Sequence, residues 1–365
     1  MTMYGLPTAP DGKRLPYHCN GFLCYYICLA IALVVHFAGL FPITHLADHY
    51  GEYLVASIII ADVTSVLWYL YGLATTKFIE NGSQTRSGII IYDIFMGTVL
   101  YPRIGEVDIK MVAECRWSWL TLMLLSLSCA FKFYENHGHI SLQVGMIVLA
   151  HWLYSNATVK GEHCIPCTWD MFHENFGWML NFWNISGVPF LYTYHAFYLL
   201  RNGAEVEREM PSYYALSVYA LLLLAYYIFD TANSQKASYK LPGVRRNTFP
   251  QLPWGILEEP IPAIKTPHGN LLIGGWYRFA RKMQYTGDLL MALSWGLICG
   301  FGSLLPYFYA LFFSFFVAHR QWRDEIRCRN KYGEYWTEYV KTVPNVLVPS
   351  LDFYVWLLCG DKKLN

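Results

Sequence analysis

Long apolar runs broken by short polar stretches recur along the chain. A helix crossing the hydrocarbon core of a bilayer needs about 20 mostly apolar residues. Residues 20–41, 53–76, 117–133, 176–200 and 213–229 read as such helices, with a shorter candidate at 140–154. The run at 176–200 contains Gly187 and Pro189, and the run at 53–76 contains Asp62. Residues 289–318 stay apolar over 30 positions, too long for one ordinary crossing and barely enough for two.

Charge resolves that last stretch. Lys236, Lys240, Arg245, Arg246, Lys265, Arg278, Arg281 and Lys282 precede it, and His319, Arg320, Arg323, Arg327, Arg329 and Lys331 follow it. Basic flanks stay on the cytosolic side of a membrane, so the chain must enter and leave on one face. Residues 289–318 therefore read as a helical hairpin, broken around residues 299–303 and at Pro306, where glycine and proline interrupt helices. The predicted fold is all-α: a polytopic transmembrane bundle of about eight spans with a C-terminal helical hairpin. Residues 1–19 form a polar N-terminal segment, 20–230 the helical bundle, and 231–365 a basic loop, the hairpin and a cytosolic end. The hairpin draws the basic loop and the basic tail to one membrane face, where the two fit a phosphorylated cofactor. Positive-inside topology alone accounts for many of the same charges.

Composition agrees with this reading. Of 365 residues, 55% are hydrophobic and 15% charged, against about 25% charged in soluble domains. Aromatic residues reach 18%, which suits membrane interfaces and flat apolar ligands. The net charge of +1 points to no nucleic-acid partner. Residues 1–17 lack the charged-then-apolar order of a secretory leader. The ten cysteines scatter through apolar runs as small hydrophobes. Cys164-Ile-Pro-Cys167 beside His163 lacks the further ligands a zinc site needs, so no metal is expected. No glycine-rich nucleotide fingerprint follows a strand, so any nucleotide must be held by the helical fold itself. The Asn184-Ile-Ser186 sequon falls inside a span and is not a glycosylation site.

Ionisable groups in a bilayer are costly and read first as functional. Asp62, His151, Glu162, Asp170, Glu174, His195 and Asp230 qualify, with the densest group between residues 160 and 171. Taken singly, each is equally an interfacial or capping residue.

Four C-terminal motifs carry a resemblance: Leu271-Leu-Ile-Gly-Gly-Trp-Tyr277, Ala280-Arg-Lys-Met-Gln-Tyr-Thr-Gly-Asp288, His319-Arg-Gln-Trp-Arg-Asp324 and Cys328-Arg-Asn-Lys-Tyr-Gly-Glu-Tyr-Trp-Thr-Glu-Tyr339. They resemble the sterol reductase family, which includes sterol 14-reductases, 7-dehydrocholesterol reductase and lamin B receptor. Tyr92-Asp-Ile-Phe-Met-Gly97, Lys160-Gly-Glu162, Thr168-Trp-Asp-Met171, Phe182-Trp-Asn-Ile-Ser-Gly-Val-Pro-Phe190 and Asp230-Thr-Ala-Asn-Ser-Gln-Lys236 look like its fungal 24(28)-reductase branch. The match runs from about Leu15 to about Asp352. The family carries about ten spans, and this chain begins just before its third.

The resemblance implies an endoplasmic-reticulum membrane enzyme with NADPH as hydride donor. The implied substrate is an ergosterol precursor with an exocyclic 24(28) double bond, bound within residues 20–230. Membrane lipid and other sterol-biosynthesis enzymes are the implied partners. The family's cofactor contacts fall on Lys236, Lys240, Leu272, Trp276, Tyr277, Gln284, Tyr285, Asp324, Cys328, Arg329, Asn330, Lys331, Tyr332 and Tyr339, with Arg281, Arg320 and Arg323 as further phosphate partners. Tyr277 stands where the family commonly has Trp.

An isolated alkene is a poor hydride acceptor until an acid protonates it. Protonation at the exocyclic methylene leaves a tertiary cation, which accepts hydride. The site needs a positioned acid and a dry apolar slot. Asp170, Glu162, Glu174 and Asp230 are the candidate acids, Asp170 and Glu162 foremost, with Tyr226 as an outsider. The competing readings are a sibling 14- or 7-reductase, a non-enzymatic sterol-binding membrane protein, and a polytopic methyltransferase.

Overall fold

The computed structural model describes residues 2–7, 12–75, 86–240, 252–255, 257 and 260–348. Arg245, Arg246 and Cys359 lie outside them. Contacts divide the chain into two compact units, Met1–Glu209 and Met210–Asn365.

In the first unit, an antiparallel pair, Thr2–Pro7 with Arg14–His18, leads into helix α1, Gly21–Phe37. Helix α2 spans Tyr50–Thr75. Its pattern is the reverse of a soluble helix. Ser57, Ala61, Ser65 and Gly72 point inward, while Val55, Ile59, Val63, Val66 and Leu70 are exposed. Small residues let helices approach closely and large apolar ones suit lipid, so this is the arrangement of a membrane helix. Its inner face holds Asn181, whose amide donates to Thr64 Oγ1 at 2.7 Å and Ser65 Oγ at 2.9 Å.

The expected run at 117–133 begins as a π-turn, Ala113–Ser118, and continues as α3, Trp119–His137, which ends at Gly138 in the left-handed conformation. Helix α4, Leu142–Lys160, starts at Ser141, whose hydroxyl accepts the Val144 N–H at 3.3 Å. It outruns the expected 140–154, carrying on to the Gly161 stop. The expected run at 176–200 is not one helix. It comprises Trp178–Phe182, a π-segment Trp183–Leu191 and α5, Tyr194–Glu209. Pro189 lacks an N–H, and Gly187 packs against Trp183 so closely that a Cβ would lie 2.6 Å from its ring. The core of this unit is the α3–α4–α5 packing around Leu122, Phe133, Ile147 and Leu199.

The second unit opens with α6, Ser212–Lys240, well beyond the expected end at Phe229. Its 29 residues extend about 43 Å at 1.5 Å per residue, longer than the roughly 30 Å hydrocarbon core. The hydroxyls of Thr231, Ser234 and Ser238 donate to carbonyls four residues back, so polar residues continue the helix. Helix α7, Met283–Leu297, lies along α6. Gly287 sits on the α6 backbone, where a Cβ would be 2.6 Å from the Phe229 nitrogen. The chain breaks after Leu297, resumes at Leu305–Tyr307, and continues as α8, Phe308–Tyr332. The break falls at the expected glycines and Pro306. Trp295 stacks on Tyr309 at 5.0 Å near the turn, and Lys282 pairs with Asp324 at the far end. Helices α7 and α8 thus form an antiparallel hairpin. Helix α9, Glu334–Thr342, turns back at Gly333, and the following chain runs along the start of α7. There the N–H groups of Arg281 and Lys282 donate to the carbonyls of Asn345 and Val346 at 2.9 and 3.0 Å.

Among the described residues, α2 and α6 are long and apolar enough to cross a membrane, and α1 is a shorter apolar helix. The remaining expected spans are present as helices interrupted or mixed with polar positions.

Candidate functional site

In the second unit the basic end of α6 meets the basic end of α8. Lys236 lies within electrostatic reach of Lys240, Lys282, Asp324 and Cys328, and Lys240 within reach of the latter three and of Lys331. Burial opposes the charge on Asp324. Lys282 outweighs it, with help from Arg327 at 2.9 Å and from Lys236, and holds the carboxyl down to about 2.

Around these charges lies an apolar and aromatic wall. Leu272, Tyr277, Cys328 and Tyr339 are buried. Burial pushes the Cys328 thiol and the Tyr277 and Tyr339 phenols up, so all three are neutral at physiological pH. The Tyr277 hydroxyl lies 3.2 Å from the Ala232 carbonyl and 3.1 Å from Gln284 Oε1, both acceptors. Trp276 is pinned to α6 twice: its indole N–H donates to Thr231 at 2.8 Å and its backbone N–H to Gln235 at 2.9 Å. The Lys236 ammonium stands 5.9 Å from the centre of the Tyr277 ring. Tyr285 is half-buried one position beyond Gln284 on α7. Tyr332 packs on the cluster of Leu271, Cys328, Trp336, Tyr339 and Val343.

The other expected contacts divide. Arg281 is buried and its guanidinium donates to the carbonyls of Val343 and Pro344 at 2.7 and 2.9 Å, so it anchors the C-terminal strap. Arg329 is exposed and pairs with Glu325 at 3.1 Å. Arg323, Asn330 and Lys331 are exposed, and Arg320 is half-buried. A cleft of about 300 Å³ opens beside Lys240, lined also by Tyr239, His268, Gly269, Asn270, Lys331 and Tyr332. Lys282 was read from sequence only as a topology charge; its position opposite Asp324 follows from the hairpin register. The turn at His268–Asn270 carries no motif signal.

The first unit holds three of the expected acids, Glu162, Asp170 and Glu174, and a buried cation organises two of them. Lys110 is fully buried. Its ammonium donates to the carbonyls of Asp170 at 2.7 Å, Met171 at 3.1 Å and Glu174 at 2.8 Å. Three N–H groups meet three carbonyls, which caps the short helix Trp169–Phe172. Burial pushes the Lys110 amine down to about 8 against the pull of Asp108, Glu114, Asp170 and Glu174, so it remains charged at neutral pH. The Glu174 carboxylate accepts the Trp169 indole N–H at 2.5 Å. The Asp170 side chain is half-buried. Glu162 is buried, accepts the Gly21 N–H at 2.6 Å and pairs with Arg116 at 2.8 Å. Burial raises its carboxyl, opposed by those two partners. Asp230 belongs to the second unit, fully buried in α6. Sequence reasoning passed over Lys110, because a contact with residues 60 or more positions away leaves no local signature.

Comparison with known proteins follows the same lines. The model of the Ergosterol biosynthesis ERG4/ERG24 family matches residues 1–352. The chain is 41% identical over 353 residues to a Delta(24(24(1)))-sterol reductase of Gibberella zeae, covering 95% of this chain and 58% of that protein. It therefore spans less than two thirds of that relative. It is 39% identical over 345 residues to a Delta(24(24(1)))-sterol reductase of Aspergillus fumigatus, covering 93% of this chain and 72% of the relative. A Delta(14)-sterol reductase of Methylotuvimicrobium alcaliphilum is 37% identical over 345 residues, covering 94% of this chain and 76% of the relative. With residues 1–352 of its 365 matched by the family model, the chain belongs to the ergosterol biosynthesis ERG4/ERG24 family.

Proposed function

We propose that this chain is a membrane-embedded sterol reductase that uses NADPH to saturate the exocyclic 24(28) double bond of an ergosterol precursor. The observation that carries the reading is the crowding of Lys236, Lys240 and Lys282 around the carboxylate of Asp324. That ratio leaves net positive charge in a partly buried place, and a phosphorylated dinucleotide supplies the matching anion. Leu272, Tyr277, Cys328 and Tyr339 form the buried apolar and aromatic backing of the site, and Tyr239 and Tyr332 line the cleft beside Lys240.

NADPH, when bound, supplies a hydride. The chain's residues do the rest. Lys236, Lys240 and Lys282 bind and orient the phosphates, and the buried aromatic wall excludes water. An acid gives its proton to the methylene carbon of the alkene. Glu162 and Glu174 each hold a neighbouring group in place. Asp170 is the preferred donor, since it lies in the stretch densest in ionisable groups and its backbone is fixed by Lys110. The choice of the 24(28) bond rests on similarity to the two fungal relatives. The similarity to the bacterial Delta(14)-sterol reductase supports a second reading, reduction of the 14 bond. The exposed apolar face of α2 suits membrane lipid, and the endoplasmic reticulum, alongside other sterol-biosynthesis enzymes, is the proposed location.

The test is incubation of the purified chain with NADPH and either a 24(28)- or a 14-unsaturated sterol, followed by mass spectrometry. A product two hydrogens heavier from the first sterol is expected. Gain from the second alone would move the assignment to the 14 bond, and NADPH left intact with both would end the reductase reading.

A further inference from the structure

Asp62 is the one charged residue between Tyr53 and Thr75, and the proposed chemistry does not use it. It is thirteenth of the 26 residues of α2, about 18 Å from the first and about 20 Å from the last at about 1.5 Å per residue. That is the middle of a helix long and apolar enough to cross a bilayer. Ionisable residues at such a depth ordinarily face the interior of a bundle and find a partner of opposite charge there. Asp62 instead lies exposed, to one side of the buried stripe of Ser57, Ala61 and Ser65.

Half of the carboxylate is held in place. The Trp178 indole N–H donates to Asp62 Oδ1 at 2.6 Å. The indole is itself fixed, stacked on Phe182 at 4.4 Å and on Phe95 at 5.5 Å between ring centres. Trp178 opens the short helix Trp178–Phe182, which packs along α2, so the fold sets the direction of the acid. Asp62 Oδ2 makes no hydrogen bond or ion pair among the described residues. An indole is a neutral donor and leaves the negative charge unanswered.

The surroundings have the spacing of a helix seam. Val55, Ile59, Asp62, Val66, Tyr69 and Leu73 follow one another at alternating steps of four and three residues. That repeat keeps one stripe of a helix in contact with another helix, and a lone polar residue within it fixes register and partner. Val55, Ile59, Val66 and Leu73 are exposed, and Tyr69 is half-buried. Lipid tails require no such repeat and bring no donor to a carboxylate. A second copy of α2 would set carboxylate against carboxylate.

We infer that this stripe is the docking seam for a transmembrane helix of another membrane protein, and that a lysine or arginine near the middle of that helix pairs with Asp62 Oδ2. Trp178 holds the carboxylate ready, which lowers the ordering cost of the pairing. The apolar positions on either side of Asp62 give the partner a surface to pack on, and the acid sets its depth.

The experiment uses the full chain in lipid nanodiscs, with its tryptophans as donors and a dansyl group on a synthetic helix as acceptor. The helices are peptides of about 22 leucines with lysine, glutamate or leucine at the centre. The lysine peptide should associate about tenfold more tightly than the all-leucine peptide. Asp62→Asn should bring the two level, Trp178→Phe should reduce the preference, and Asp62→Lys should transfer it to the glutamate peptide. Equal association of all three peptides with the unaltered chain would leave the face to lipid and overturn the inference. A lysine preference that survives Asp62→Asn would place the pairing elsewhere and overturn it as well. Equal capture by Val66→Asp combined with Asp62→Asn would show that any acid on α2 suffices, with no seam built around Asp62. Energy transfer between labelled copies of the chain that disappears in Asp62→Asn would give the stripe to a second copy instead.

Discussion

Two lysine environments, one in each unit, handle positive charge in opposite ways: Lys110 is fully buried, whereas Lys236 is half-buried and Lys240 exposed beside the buried Lys282. Lys110 places all three of its N–H groups on backbone carbonyls, and the site is complete as it stands. Lys236, Lys240 and Lys282 lie within electrostatic reach of one another with Asp324 among them, so three cations share the carboxylate named beside them. Burying a cation is costly unless it is satisfied, so the Lys110 arrangement serves the fold, while lysines left half-buried or exposed beside one another suit an arriving anion. A buried lysine in this chain is therefore informative only together with the atoms its ammonium reaches.

The comparison is broken most directly at Lys110. Lys110→Met leaves three carbonyls without their donor, and a loss of about 3 kcal/mol or more in stability is expected. Thermal unfolding followed by tryptophan fluorescence in detergent measures it. An unchanged midpoint would mean that the cap does not hold the turn at residues 169–174. Asp170→Asn comes next. It keeps the carbonyl that Lys110 holds and removes only the acid, so turnover should fall about a hundredfold or more while NADPH affinity and melting temperature stay put. Normal turnover would strike Asp170 from the donors.

The lysine cluster should respond the other way. Lys236→Met should weaken NADPH binding by about tenfold to a hundredfold and leave stability equal or higher, because it relieves repulsion from Lys240 and Lys282. A large loss of stability instead would make Lys236 a second Lys110. Asp324 supplies a pH signature of similar size. Its carboxyl lies at about 2 against the ordinary 3.8, which corresponds to about 2 kcal/mol. A depressed acid stabilises the fold above its unfolded pKa, so this contribution is complete above about pH 4 and disappears as the pH falls through about 2. Asp324→Asn should flatten that part of an acid titration of the second unit's fluorescence.

The sequence disclosed what depends on neighbours along the chain and concealed what depends on distant partners. The hairpin of α7 and α8 was legible because Gly300, Gly302 and Pro306 interrupt an apolar run between two basic flanks. The length of α6 was not, because Thr231, Ser234 and Ser238 read as loop residues until their hydroxyls are seen returning to the helix. The run at 176–200 was legible as apolar, but its π-segment depends on Trp183 packing against Gly187. Glu162 stood out as an ionisable residue near the bilayer, yet its partners Gly21 and Arg116 are far away in sequence and turn it into a fastening between segments. Arg281 was grouped with the phosphate contacts by its basic neighbourhood, whereas its guanidinium reaches two carbonyls more than 60 positions on.

Arg281 offers the finest test of the contrast, since it is a cation of the first kind placed beside the second. Its Nη1 serves Val343 and Pro344 together, and its backbone N–H serves Asn345. Lysine keeps the charge and the backbone bond but has a shorter side chain and no second terminal nitrogen to face Glu325, which lies 4.0 Å from Arg281 Nη2, so Arg281→Lys should weaken the hold on the two carbonyls. The expected cost is about 1 kcal/mol. Proteolysis of the strap at residues 343–348 should become faster, with NADPH affinity changed by less than about twofold. If affinity fell tenfold while the strap stayed protected, Arg281 would belong with Lys236 and Lys240 as a phosphate ligand, and the division between fastening cations and binding cations would have to be redrawn on α7.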